Sequence, residues 1–477
     1  MTRPRRRRVL ATMLAVAVVG LTAGPFAQRP GSDEPPGQPA GGVLTDRVAC
    51  QSDPTQTYTL FTPAGYPGGR RWPVLIVLDP RGRGRAAAEI FQEAAAGLGW
   101  VLISSDNTSS DGPMAPNVRA VNAIWRDVNG RDSLDLRRLY VAGFSGTVAV
   151  AWGMATSGAM PAGLVAVGAP LRPQVTATGE GFALFGAAGR RDFNYLEMRD
   201  LMASLEGRNI PRRLEHFAGE HEWLTPALAA TALGWFEVQA MKAGTRPRDP
   251  ALAGRLLEAE RRDAAALEQE GRLLEAAARL RTIVETFDRV ASIEEDRGHL
   301  AALVAGAPYA AAVKQDRRLD EWERALRPRV AGAADHVADA DEVMGPAEAA
   351  NVMQVPMLQG RLSRSPPESD AAARLLNLAA ARLGYYKWRD HMEQGAFRRA
   401  ASLQEIAARI WPESAAPYYR LALSRARAGD GKRALDALEE AARRGMHRLE
   451  LLDGEPAFDA IRSDPRFAAL RGRMITP

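Results

Sequence analysis

At 477 residues the chain is too long for one ordinary domain and implies two or three. Its net charge of +5 is supplied by Arg3, Arg5, Arg6, Arg7 and Arg8, and without them acidic and basic residues are equal in number. No concentrated basic surface remains, which excludes a nucleic-acid partner.

In chain order, those arginines precede an apolar run from Val9 to Ala23, of signal-peptide length and shorter than a membrane span. Small residues near Ala23, Gly24 and Ala27 offer cleavage points. Residues 1–28 therefore read as a signal peptide or, if uncleaved, as an N-terminal anchor that tethers the chain to a membrane. Either implies an exported protein, periplasmic or extracellular. Residues 29–45 are rich in proline, glycine and polar side chains, cannot bury a core, and read as a disordered linker. Cys50 is the only cysteine, so no intramolecular disulfide forms. No His-Glu-x-x-His or paired Cys-x-x-Cys occurs, so neither a metal nor a cofactor is expected.

From 46 to 243, strand and helix patterns alternate. Gln56–Phe61, Trp72–Leu78 and Trp100–Ser105 read as strands. Val118, Val121, Trp125 and Val128 recur at helical spacing, with Asn117 as N-cap. Leu139–Ala142, Leu164–Gly168, Phe182–Ala187 and Arg213–Phe217 are further strands. The alternation argues for a mostly parallel sheet with helices on both faces.

Gly143-Phe144-Ser145-Gly146-Thr147 lies between one of these apolar strands and the apolar stretch Val148–Trp152. A serine there sits on a sharp turn, with glycines where the backbones cross, and its hydroxyl is pushed up from the sheet's carboxyl edge. Such a nucleophile needs a histidine base and a carboxylate. Of six histidines only His216 and His221 share this half. His216 falls inside a strand and His221 just beyond it, so His221 is the better placed base. Asp192 stands at the end of another strand, whereas Asp200 and Asp127 fall within helices. Ser145, Asp192, His221 is thus the candidate triad. The oxyanion hole is assigned to the N–H of Gly146 and that of Arg81, with Gly82 as the next choice after Arg81. The side chains of Arg81, Arg83 and Arg85 read as solvated loop arginines, or as a positive cleft mouth favouring anionic substrates. Between Ser145 and Asp192 there is room for a helix and two strands but no lid, so the site should be open unless something outside this domain covers it.

Four segments together, Leu78–Gly82, Ala142–Gly146, Asp192–Tyr195 and Gly219–Trp223, resemble bacterial α/β-hydrolases related to polyhydroxybutyrate-depolymerase-type and dienelactone-hydrolase-like esterases. The resemblance spans about residues 55 to 240. It implies serine-hydrolase chemistry on a small or polymeric ester, carried by Ser145, Asp192 and His221. Thr147 stands where that family usually has glycine, and a β-branched residue there is expected to crowd the elbow.

Gly244–Pro250 marks a boundary, beyond which Ala, Leu, Glu and Arg dominate at helical spacing. Residues 251–370 read as an α-helical region and 371–477 as a tetratricopeptide-like domain of helical hairpins. Ala400 and Ala407 recur as Ala434 and Ala441, with Gly429-Asp430-Gly431 as a turn between helices. Such hairpins imply a protein or peptide partner. Two functions remain: an exported serine esterase, or a non-catalytic envelope scaffold built on a hydrolase-like domain.

Overall fold

Eight strands make one sheet: β1 (Gly42–Cys50), β2 (Asp53–Pro63), β3 (Trp72–Leu78), β4 (Val101–Ser105), β5 (Leu134–Phe144), β6 (Gly163–Val167), β7 (Ala183–Gly189) and β8 (Arg212–Phe217). Their spatial order is β1-β2-β4-β3-β5-β6-β7-β8. β2 pairs antiparallel with both β1 and β4, and every pairing from β4 to β8 is parallel. This is the α/β-hydrolase architecture. The computed structural model describes residues 41–110, 112–156, 160–170 and 182–475. The stretch 1–28, read as a signal peptide or anchor, lies outside them, as does most of the linker.

The sheet is covered on both sides because β3, β6 and β7 are apolar at every position. In β3, Val74, Ile76 and Leu78 point into one core and Leu75 and Val77 into the other. The first core is closed by α2 (Met114–Asn129), α3 (Thr147–Thr156) and α4 (Tyr195–Ser204), through Ile124, Met154 and Met198. The second is closed by α1 (Gly84–Leu98) and α5 (Pro226–Lys242), through Phe91 and Phe236.

Two local expectations change. β1 begins at Gly42, inside the stretch read as linker. It is an edge strand paired only with β2, and Val43 and its charged neighbours leave it half exposed, so it lacks the apolar signature. Asn117 does not cap α2, which starts at Met114. Its side chain instead accepts from the Ser109 N–H and donates to the Ser109 carbonyl, pinning the preceding loop.

After α5 the chain is helical. Asp249 caps α6 (Pro250–Gln269) by accepting from the Leu252 N–H at 2.9 Å. There follow α7 (Leu273–Phe287), α8 (Glu294–Ala305) and α9 (Ala307–Asp339), a helix of 33 residues with Pro328 inside it. Next come α10 (Pro346–Val352), α11 (Val355–Gln359) and α12 (Pro366–Ala381), which continues into a π-helical turn, Arg382–Lys387. α12 runs unbroken across the 370/371 boundary drawn from the sequence, burying Ala371 to Leu376. α13 (Trp388–Glu393), α14 (Phe397–Ile410), α15 (Ala415–Arg427) and α16 (Gly431–Arg443) follow. Gly429 at φ 79° and Asp430, whose side chain accepts from the Arg433 N–H, make the α15–α16 turn. Among the described residues no helix is long and apolar enough to cross a membrane.

The helical half is built onto the sheet. Arg213 of β8, its side chain 1% exposed, meets Glu215 and Glu260, each at 2.7 Å. Arg279 of α7 reaches the same two carboxylates at 2.8 and 2.7 Å. Removing one member of a buried charge group leaves its partner desolvated and short of a counter-ion. Glu260→Ala should therefore cost about 3 kcal/mol, at the low end because Glu215 remains. A lowered urea midpoint would register this, and an unchanged midpoint would contradict it.

Candidate active site

β5 delivers Ser145 and α3 carries the chain away within two residues. Ser145 adopts φ 54°, a left-handed conformation that costs a non-glycine residue roughly 1–2 kcal/mol. Its N–H donates to the Val167 carbonyl of β6 at 2.9 Å. A Cβ at position 143 would lie 2.7 Å from the Thr147 carbonyl oxygen, so only glycine lets α3 come this close to β5. Thr147 does not crowd the turn. Its hydroxyl accepts from the Phe144 N–H at 3.0 Å and lies 2.5 Å from the Leu78 carbonyl and 2.8 Å from the Phe144 carbonyl, to either of which it can donate. The side chain that departs from the family pattern thus ties the elbow to the end of β3.

His221 comes from the loop after β8, and its Nε2 is 3.0 Å from Ser145 Oγ. Its Nδ1 is 3.0 Å from each carboxylate oxygen of Asp192, which follows β7. An ionised carboxylate only accepts, so Nδ1 carries the proton and Nε2 is left to accept from the serine hydroxyl. Asp192 is completely buried. The Asn194 N–H donates to its Oδ1 at 2.8 Å, and Asn194 Nδ2 holds the Gly168 carbonyl at 2.7 Å. Gly168, at φ 61°, has no room for a Cβ, which would stand 2.8 Å from Asp192 Oδ2 and 3.2 Å from the imidazole.

The structure thus brings Ser145, Asp192 and His221 together in a single hydrogen-bonded line and leaves the rivals elsewhere. Asp200 pairs with Arg324, and Asp127 accepts from Tyr58 and the Gln51 N–H. His216 stacks on Tyr195 at 4.3 Å with no hydrogen-bond partner on Nε2.

The two amides assigned to the oxyanion hole differ in how they are engaged. Gly146 has no acceptor for its N–H among the described residues. Arg81, by contrast, donates its N–H to Asp79 Oδ1 at 2.8 Å, and the Arg83 N–H goes to the same oxygen. The Gly82 N–H turns to the Asp79 carbonyl at 3.3 Å. Asp79 is buried and also takes the Arg83 guanidinium and Trp223 Nε1, so the loop after β3 closes around it rather than facing the serine. Sequence reasoning missed this hub. Its one signal is a carboxylate directly after a fully apolar strand.

A cleft of about 300 Å³ opens beside His221, lined by Pro80, Arg81, Arg83, Phe144, Trp223 and, from the helical half, Arg448. Ser145 itself is only 1% exposed, and the helical half, from outside the sheet domain, contributes Arg448 to the cleft wall. Arg83 pairs with Asp79, and Arg85 lies outside the cleft, paired with Asp46 and Glu89.

No family model matches the chain, and no curated protein matches it. Among solved structures it is similar to a substrate-bound fluorophosphonate-binding serine hydrolase F of Staphylococcus aureus, with 15% identity, TM-score 0.33, and 42% of this chain and 98% of that chain covered. Esterase LipW from Mycobacterium marinum aligns at 19% identity and TM-score 0.32, over 41% of this chain and 82% of its own. Esterase 2 of Thermogutta terrifontis aligns at 14% identity and TM-score 0.33, over 43% and 96%.

His216 carries a pH signature of its own. Burial, then the charges of Arg199 and Arg374, push its pKa down to about 3. A ring whose pKa is lower folded than unfolded penalises folding as pH falls from about 6.5 towards that value. The thermal midpoint of His216→Phe, minus that of wild type, should therefore grow between about pH 7 and pH 4. A constant difference would contradict this.

Proposed function

We propose that the protein is a serine hydrolase that cleaves an ester through an acyl-enzyme. The observation that carries this reading is the unbroken line from Ser145 Oγ through His221 to the buried Asp192. Ser145 Oγ attacks the acyl carbon while His221 Nε2 takes its proton, and the carbonyl oxygen becomes an oxyanion against the Gly146 N–H. Collapse expels the alcohol, which leaves with the proton from His221. Water then attacks the acyl-serine, again giving its proton to Nε2, and the carboxylic acid departs as the serine hydroxyl re-forms. Asp192 keeps the imidazole in the tautomer this needs and stabilises its charged form.

Phe144, Trp223, Leu224 and Ile90 give the cleft an apolar wall suited to the hydrocarbon part of an ester. The arginine-led apolar segment within residues 1–28 supports export of this hydrolase. Thr147, expected to crowd the elbow, is bonded into it and gives no ground for a non-catalytic scaffold.

A fluorophosphonate probe should label the full chain, and Ser145→Ala should abolish labelling while leaving the fold intact by circular dichroism. Hydrolysis of a p-nitrophenyl ester should fall by about 10⁴-fold or more in the same variant. Labelling that survives Ser145→Ala would overturn the assignment.

A further inference from the structure

The segment that carries the candidate acid is a strap between the two halves of the molecule. Its amides face the hydrolase half: the Arg190 N–H donates to the Phe217 carbonyl at 2.8 Å, and the Arg191 N–H to the Gly219 carbonyl at 2.9 Å. Those acceptors lie on the chain leading directly to His221. Its carbonyls face the helical half. Arg374 Nη1 of α12 donates to the Arg190 carbonyl at 2.7 Å, and Asn377 Nδ2 of α12 to that of Arg191 at 2.9 Å. Arg327 of α9 donates to the carbonyl of Phe193. Arg374 is itself fixed by Glu323, a carboxylate fully buried on α9.

One side chain spans both halves. The Phe193 ring lies 4.6 Å from the His221 ring, centroid to centroid, at 35°. A second ring, Phe144, flanks the imidazole at 4.8 Å. Phe193 is 3% exposed, and its apolar neighbours are Leu378 and Ala381 of α12, Tyr385 and Tyr386 of the π-helical turn, and Ala331 of α9. It is the one residue of the hydrolase half in that cluster among the described residues. A flat ring packed tightly on one side restrains whatever stacks on its other contacts, because close-packed interiors leave no room for drift.

We propose that Phe193 is a positioning residue through which the helical half sets the orientation of His221 between Asp192 and Ser145. This rests on the serine-hydrolase reading of the site and assigns the helical half a part in the chemistry. α12 and α9 hold the strap from behind, Phe193 transmits their packing to the imidazole, and Asp192, one residue away, is placed by the same strap. Misplacing a reacting group by an ångström costs about 100-fold in rate.

The test uses the full chain. Phe193→Ala should lower kcat for a p-nitrophenyl ester on the order of 10- to 100-fold with KM unchanged, since the cleft is untouched. Phe193→Leu refills the volume against α12 and should recover most of the loss. Leu378→Ala, which removes packing behind Phe193 without touching the triad, should lower kcat in the same direction and by less. An independent readout is the low-field proton resonance of His221 Nδ1–H against Asp192, which should shift or broaden in Phe193→Ala and Leu378→Ala. Absence of that resonance from wild type, its constancy across the variants, or wild-type kcat in a folded Phe193→Ala would overturn the proposal. If the wild-type chain resists the fluorophosphonate probe while the resonance still responds, the hydrolase reading falls and the positioning role stands.

Discussion

An L-residue held at φ 54° is under backbone strain, and Ser145 stays there only because its surroundings allow nothing else. Gly143 lets α3 press against β5, the Ser145 N–H is tied to β6, and the Thr147 hydroxyl bonds to the last carbonyl of β3. Three adjacent parallel strands therefore converge on one turn. Their apolar faces supply the stability that offsets the strain, and the serine hydroxyl is delivered at a fixed point above the sheet's carboxyl edge. Every other feature of the site is arranged around that point.

His221 and Asp192 reach it from the ends of the neighbouring strands β8 and β7, which pair in register up to Gly189 and Phe217. Their loops are crossed by backbone hydrogen bonds, which tie the segment before Asp192 to the one leading to His221. Gly168 beside them has no room for a side chain. The helical half then closes the construction from outside. Its buried ion group on β8 and its donors to the strap after β7 sit behind the two strands that lead to His221 and Asp192. A region that sequence alone marks as a separate docking module is, in the folded molecule, packed against the segments that carry Asp192 and lead to His221.

What could be read from residues, and what could not, follows from burial. β3, β6, β7 and the Leu139–Phe144 end of β5 are apolar on both faces, and their run length and flanking turns identify them without three-dimensional information. Strand ends in a parallel sheet must present their next residues at one edge, so Ser145, Asp192 and His221 could be picked out together. β1 was missed because an edge strand carrying Asp46 and Arg47 has the composition of a linker. Arg81 was misjudged because nothing in Asp79-Pro80-Arg81-Gly82 announces that the carboxylate folds back onto its own loop amides. The contacts of Arg374, Asn377 and Phe193 lie between residues some 180 apart in sequence and leave no periodic trace.

In the proposed reaction Ser145 is a nucleophile activated by His221 and held by Asp192. Rapid quenching of the full chain with a p-nitrophenyl ester, followed by mass analysis of its peptides, tests it most directly. A transient acyl group should form on the peptide containing Ser145, at the rate of the nitrophenolate burst. Turnover without any acyl adduct on that peptide, or with the acyl group on another residue, would contradict it.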